Sequence, residues 1–168
     1  QYGSEGILAP LVADACLRVL KDGRVSVESV RIVKIPGASV TQSTLLDGYV
    51  SRSGVETVVM EVESAKIAVF ASGFEASTTE AKGTVVMKSA DDLKNYNKTE
   101  ERKMEDIVAG IAAAGVKIVV TGGNLSDMAL HFLDRHNMMC LRLGSKWELR
   151  RLCQAVGATA LVRLGAPT

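Results

Sequence analysis

The fold is decided by Val116–Leu164, VKIVVTGGNLSDMALHFLDRHNMMCLRLGSKWELRRLCQAVGATALVRL. It reads as strand, helix, strand, helix, strand. Apolar runs end in glycines or a serine, and a short helical pattern lies between each pair of runs. Val116–Val120 is almost continuously apolar, as a strand covered on both faces must be. A βαβαβ succession implies parallel strands joined by right-handed crossovers, so the fold class is α/β.

Working outward, SADDLKNYNKTEERKMEDIVAGIAAAG (Ser89–Gly115) is dense in charge and then helical. Ser89 is positioned to cap a short first turn, with Asp91 and Asp92 near the helix N-terminus. Thr99 is positioned to cap a longer helix that begins Glu100-Glu101 and carries Met104, Ile107, Val108 and Ile111 on its apolar face. Before Met104 only Leu93 and Tyr96 are apolar, so that part is expected to project into solvent or to meet a partner intermittently.

Further upstream, AKIAVFAS (65–72) and GTVVMKS (83–89) read as strands, and no useful helix is evident between Tyr49 and Lys88. Ser4–Leu20 reads as an amphipathic helix with Ile7, Leu8, Leu11, Val12, Ala15, Cys16 and Val19 on one side, ended by Lys21-Asp22-Gly23. SVESVRIVKI (26–35) reads as a strand before the Pro36-Gly37 turn, and Gly48 interrupts TQSTLLDGYVSRS ahead of another short strand. There is no internal repeat.

Composition narrows the function. The chain has 168 residues, 47% hydrophobic and 23% charged, which suits a globular domain with a core. A net charge of +1 supplies no broad field for nucleic acid or anionic membrane, and 4% aromatic residues are too few for base-stacking platforms. No apolar run approaches the roughly 18 residues of a membrane-spanning helix. The start, QYGSEGILAP, lacks both a basic segment and an initiator Met, which reads as a piece of a longer chain. Cys16, Cys140 and Cys153 are scattered in apolar context and read as buried thiols of a reducing compartment.

Thr121-Gly122-Gly123 lies between a strand and a helix, where phosphate loops occur, but has neither G-x-G-x-x-G spacing nor a P-loop Lys-Ser/Thr. The plainer reading is a tight turn ahead of a helix capped by Ser126; a nucleotide-binding domain of doubly wound type is the alternative. His131 and His136 are five apart, off one helical face, with no second ligand cluster. Glu61, Glu63, Glu75 and Glu80 are scattered, and no catalytic set can be assembled.

The helix SKWELRRLCQAVGA (145–158) is sharper. Leu149, Leu152, Cys153 and Val156 fall within about 100° of arc and form the inner face. Trp147, Arg151 and Gln154 point outward, flanked by Glu148 and Arg150, and Ser145 with Glu148 has the spacing of a capping box. The outward set contains the chain's only tryptophan beside arginines, the residue types enriched at binding hot spots. A solvated helix with its Trp folded over its neighbours is the plainer alternative.

AKIAVF, EAKGTVVMKSADDL, VKIVVTGG, DMALHF and LRLGSKWELRRLCQAVGATAL together resemble the group II chaperonins, almost end to end. The resemblance implies part of an intermediate domain over 1–47 and an apical domain over 48–168, C-terminally incomplete, a swivelling β/α/β fold. A helical protrusion is implied over about 89–115, with Asp92, Lys94, Tyr96, Glu100, Glu101 and Lys103 as lid or inter-subunit residues. It places the helix at Ser145 at the cavity wall, with Ser145, Lys146, Trp147, Glu148, Arg150, Arg151 and Gln154 facing clients. It further implies a cytoplasmic, ATP-dependent folding machine: a hetero-oligomeric double ring acting on non-native proteins such as actin and tubulin, without nucleic acid or membrane partners. This stretch is expected to have no cofactor, metal or catalytic residue of its own, because the ATP and Mg site and the catalytic aspartate belong to family segments outside it. A purely structural scaffold, with 89–115 touching neighbouring subunits and nothing binding clients, is a third reading.

Overall fold

The computed structural model describes residues 2–75 and 90–166, with the backbone alone over 90–97. It divides into two compact units, Gln1–Val50 and Ser51–Thr168.

The first unit opens with helix α1 (Glu5–Arg18), which carries Pro10 inside it. Only Ala15 is buried on this helix, and Val12 lies exposed rather than on an inner face. The expected stop at Lys21-Asp22-Gly23 is instead a tight hairpin: β1 (Leu20–Lys21) pairs antiparallel with β2 (Arg24–Val25). Asp22 and Gly23 both take positive φ, 51° and 70°, the geometry that a two-residue hairpin turn requires. The strand expected over 26–35 does not form. Val27–Ser29 is a 3-10 turn, and the extended residues after it have no ladder partner among the described residues. Val40–Gln42 is a second 3-10 turn, and no strand follows Gly48. Val27, Ile32 and Ile35 are exposed, so alternation alone, without an edge to pair with, does not make a strand here. Arg18 pairs with Asp47 and closes the unit; that hydrogen bond raises the already high pKa of the guanidinium.

The second unit is built on a parallel sheet, β3 (Lys66–Phe70), β4 (Val116–Thr121) and β5 (Met139–Arg142), in that spatial order. Helix α2 (Ala90–Ala113) connects β3 to β4, and α3 (Asp127–Arg135) connects β4 to β5. The last strand is reduced to a single parallel bridge: Leu161 pairs with Phe70 on the outer side of β3, through Leu161 N–H to Val69 O at 2.8 Å and Ala71 N–H to Leu161 O at 2.7 Å. The order of strand addition across the sheet therefore reverses after β5. With right-handed crossovers, α2 and α3 lie on one face and α4 (Lys146–Val156) on the other.

The core follows from this layering. Ala68, Phe70, Val119 and Cys140 of the sheet pack with Met104, Val108 and Ile111 of α2 and Ala129, Phe132 and Leu133 of α3. Phe70 and Phe74 meet edge to face at 5.3 Å. Helix α2 is one continuous 24-residue element, so Thr99 lies inside it and not at its start. Its half from Met104 onward belongs to the core, which restricts any projecting part to the residues before Met104. The strand expected over 83–89 and the Ser89 cap lie outside the described residues. On α3, Ser126 caps as its position predicts, its Oγ accepting from Ala129 N–H at 3.3 Å.

A strap covers the free edge of β5. Val55 bridges antiparallel to Leu141, Glu56 N–H donates to Cys140 O at 2.9 Å, and Cys140 N–H donates to Thr57 Oγ1 at 2.9 Å. Val58 N–H reaches Asp134 Oδ1 at 2.9 Å, and Arg142 pairs with Glu56 at 3.4 Å. A side-chain hydroxyl thus substitutes for a neighbouring strand's carbonyl at an otherwise open edge. Of the three cysteines only Cys140 is fully buried; Cys16 and Cys153 are half-buried, short of the fully buried positions expected.

Candidate functional site: the outer face of helix α4

Two places carried functional expectations, and the molecule treats them oppositely. The first is the Thr121-Gly122-Gly123 corner at the carboxyl ends of the parallel strands, the position where open α/β sheets bind ligands. Its donors are engaged internally. Gly122 N–H donates to Phe70 O at 2.8 Å, Gly123 N–H to Thr121 Oγ1 at 3.3 Å, and Thr121 Oγ1–H to Ser72 O at 2.8 Å. Phe74 N–H donates to Asn124 O at 2.8 Å and Ser126 N–H to Phe74 O at 3.0 Å, zipping 72–75 against 123–126. The approach is close enough to demand glycine. A Cβ on Gly123 would stand 2.5 Å from Gly73 N, and one on Gly73 2.5 Å from Asn124 O. Leu149 of α4 stands over Gly122, 3.2 Å from where its Cβ would be. Ser72 Oγ is buried there with no hydrogen-bond partner among the described residues. The close backbone approach and the internal bonds of Gly122, Gly123 and Thr121 favour the tight-turn reading over a phosphate loop, which needs free N–H groups with space above them. Nothing in the sequence around Gly73 signalled its part in the corner, because its partner lies some fifty residues away.

The second place is α4. Gly157, in the left-handed region with φ 68°, stops the helix at the expected point. Leu149 and Leu152 are 6% and 7% exposed and anchor the inner face. Cys153 is only half-buried and Val156 is 41% exposed, so the inner face is narrower than helical spacing predicts. Ser145 occupies the N-cap, but its side chain makes no cap hydrogen bond; the capping box with Glu148 does not form. Partial burial of Cys153 raises its thiol's pKa.

On the outer side Trp147 is 57% exposed, and Lys146, Arg150 and Gln154 are exposed around it. Glu148, Arg151 and Ser145 are half-buried at its margins, so Arg151 is less outward than expected. Lys146 Nζ stands 5.3 Å above the Trp147 ring, a cation–π contact that residue spacing does not foretell, since adjacent helical residues rarely face each other. The structure thus groups the seven residues expected to face clients on one helix and its N-cap, four of them exposed. Of the proposed lid residues, Glu100, Glu101 and Lys103 lie on α2 before it enters the core; Glu101 and Lys103 are exposed and Glu100 half-buried. Asp92, Lys94 and Tyr96 are on the same helix, with side chains outside the described residues.

Other chemistry does not assemble. His131 is exposed against Phe132, with ring centroids 5.7 Å apart, and His136 is the C-cap of α3. Among the described residues no group of three or more His, Cys, Asp or Glu is placed to hold a metal ion. Glu61, Glu63 and Glu75 are exposed, and Glu80 lies outside the described residues. No helix among the described residues is long and apolar enough to cross a membrane. The Cys140 thiol is pushed up to about 12 by burial, with Glu56 and Asp134 adding to the shift, which makes it inert as a nucleophile near neutral pH.

The second unit is thus a parallel sheet with helices on both faces, a close-packed glycine corner and one exposed, mixed helix face. Comparison with known proteins places it. Residues 2–168 match the TCP-1/cpn60 chaperonin family, and the chain belongs to that family. It is 48% identical over 169 residues to T-complex protein 1 subunit theta of Gallus gallus, covering 100% of this chain and 31% of that protein. The theta subunit of Homo sapiens is 47% identical over 168 residues, covering 99% and 31%, and that of Arabidopsis thaliana 41% identical over 170 residues, covering 100% and 31%. The chain therefore spans about a third of the length of these curated relatives.

Proposed function

We propose that this chain is the client-binding and lid-forming part of an ATP-dependent cytosolic chaperonin subunit, with residues 1–47 from the intermediate domain and 48–168 from the apical domain. One observation carries the reading: α4 is fixed to the sheet by Leu149 and Leu152 while Trp147, Lys146, Arg150 and Gln154 are exposed together on its outer side. Membership of the chaperonin family supports placing that surface at the wall of a folding cavity.

In this account non-native chains, actin and tubulin among them, are held by several weak contacts to the α4 face. ATP and Mg bind in another part of the subunit. Closure of the hetero-oligomeric double ring then moves α4 and releases the client, a population shift driven by differential binding to two states. Asp92, Lys94, Tyr96, Glu100, Glu101 and Lys103 of α2 contact neighbouring subunits in the closed lid. The test is Trp147→Ala with Arg151→Ala in the full complex, read by client crosslinking. A several-fold loss of capture on this subunit, with ring assembly intact, supports the account; unchanged capture removes α4 from it. Deleting the part of α2 before Met104 separates the lid role from a scaffold role: a scaffold loses ring closure alone, with client encapsulation otherwise unaltered.

A further inference from the structure

Resting on that reading of α4 as the client surface, we propose that the helix selects extended client segments in which an apolar or aromatic side chain is followed two residues later by a carboxylate.

The charge pattern of α4 is lopsided. Elsewhere Arg18, Arg135 and Arg142 pair with a carboxylate, from Asp47, Glu105 and Glu56, while Arg24, Arg31, Arg52, Arg102 and Arg163 make no ion pair among the described residues. Arg150 and Arg151 make no ion pair among the described residues, although Glu148 lies three residues from Arg151 on the same helix. Nor do they offset the negative end of the helix, since α4 has no basic residue in its last turn. Glu148, in the first turn, complements the positive end. The outer face therefore presents Lys146, Arg150 and Arg151 against one carboxylate, within a chain whose net charge is only +1.

Geometry sets the spacing. Trp147, Arg150 or Arg151, and Gln154 form a stripe at steps of three or four residues, about one helical turn of 5.4 Å apart. An extended peptide repeats on one side every second residue, roughly 6.6 Å apart. A side chain resting on the Trp147 ring thus brings the residue two positions on, not the next one, to the guanidinium groups, which suit carboxylates bidentately. Lys146 over the ring leaves the indole's other face for the apolar residue. Gln154, a turn further, meets the peptide's backbone.

The experiment uses the assembled complex and one extended probe peptide carrying a photoreactive group, with Glu, Gln or Lys two residues after a leucine, and a fourth version with Glu directly after it. Adducts on α4 are quantified by mass spectrometry. The Glu peptide at the two-residue spacing is expected to label α4 roughly three- to tenfold more than the Lys peptide at low salt, the range for two solvent-exposed charge pairs. It is also expected to exceed the peptide with adjacent Glu. The preference shrinks as salt shortens the screening length to a few ångströms. R150E/R151E inverts the order of Glu and Lys and leaves the Gln peptide unchanged, which a loss of fold would not do. Equal labelling by all four peptides, or an order unmoved by the double reversal, overturns the carboxylate preference and leaves α4 a client surface. Labelling by none of them overturns both.

Discussion

The glycine corner and the outer face of α4 lie on adjoining parts of one sheet, yet one is fully committed and the other is not. At the corner, Thr121, Gly122 and Phe74 direct their hydrogen bonds into the protein's own backbone, Gly123 donates to the Thr121 hydroxyl, and Gly73 and Gly123 admit no side chain. On α4, Trp147 and Arg150 are exposed, and neither Arg150 nor Arg151 makes an ion pair among the described residues. The difference teaches how a local sequence signal and a surface can part ways. A sequence position that looks like a ligand loop can be closed by its own chain, while groups with no internal task remain free for a partner.

The comparison breaks first at the glycines. Gly123→Ala or Gly73→Ala forces a Cβ into backbone, and a loss of about 3 kcal/mol in urea-unfolding stability is expected, at the upper end of overpacking costs. Thr121→Val keeps the volume but removes the hydroxyl that bonds Ser72 O and Gly123 N–H; about 2 kcal/mol is expected, read the same way. Thr57→Val orphans the Cys140 amide at the covered edge. About 1 kcal/mol is lost, and exchange of that amide with solvent deuterium accelerates more than that of Val119 or Val120.

High pH gives a reagent-free test of the buried side. Folding raises the Cys140 pKa from its ordinary 9.0 to about 12, so the thiol's contribution to stability is whole below pH 9 and is lost progressively as pH rises towards 12, where the unfolded chain ionises first. Cys140→Ala flattens that part of the pH–stability curve. The smallest effect belongs to the other side of the comparison: Trp147→Ala and Arg150→Ala shift stability by no more than about 0.5 kcal/mol, as surface substitutions do.

Much of this was legible beforehand because the second unit's elements carry strong periods. The apolar runs of β3 and β4 and the paired faces of α3 and α4 each point to one structure. Strands without a partner were not legible. The 26–35 segment alternates as a strand does, but pairing is a tertiary fact, and Val27, Ile32 and Ile35 end exposed. The hairpin at Asp22-Gly23 was hidden by its resemblance to a helix stop. Thr99 reads as a cap, yet α2 runs through it, since the core contacts of Met104, Val108 and Ile111 stabilise a longer helix than local signals define. At the candidate site, spacing located Trp147, Arg150 and Gln154, but overestimated the outwardness of Arg151 and the burial of Val156. Both lie at the margin of the apolar arc, where helical spacing alone does not fix exposure.

The central claim is that the α4 face receives non-native chains while the corner beside it is structural. Oxidative footprinting of the full complex, with and without a non-native client, measures it directly. Labelling of Trp147 should fall several-fold when client is bound and return when the complex is cleared by ATP, with labelling at Phe74 and Leu125 unchanged throughout. Trp147 labelled equally in the presence and absence of client would contradict the account.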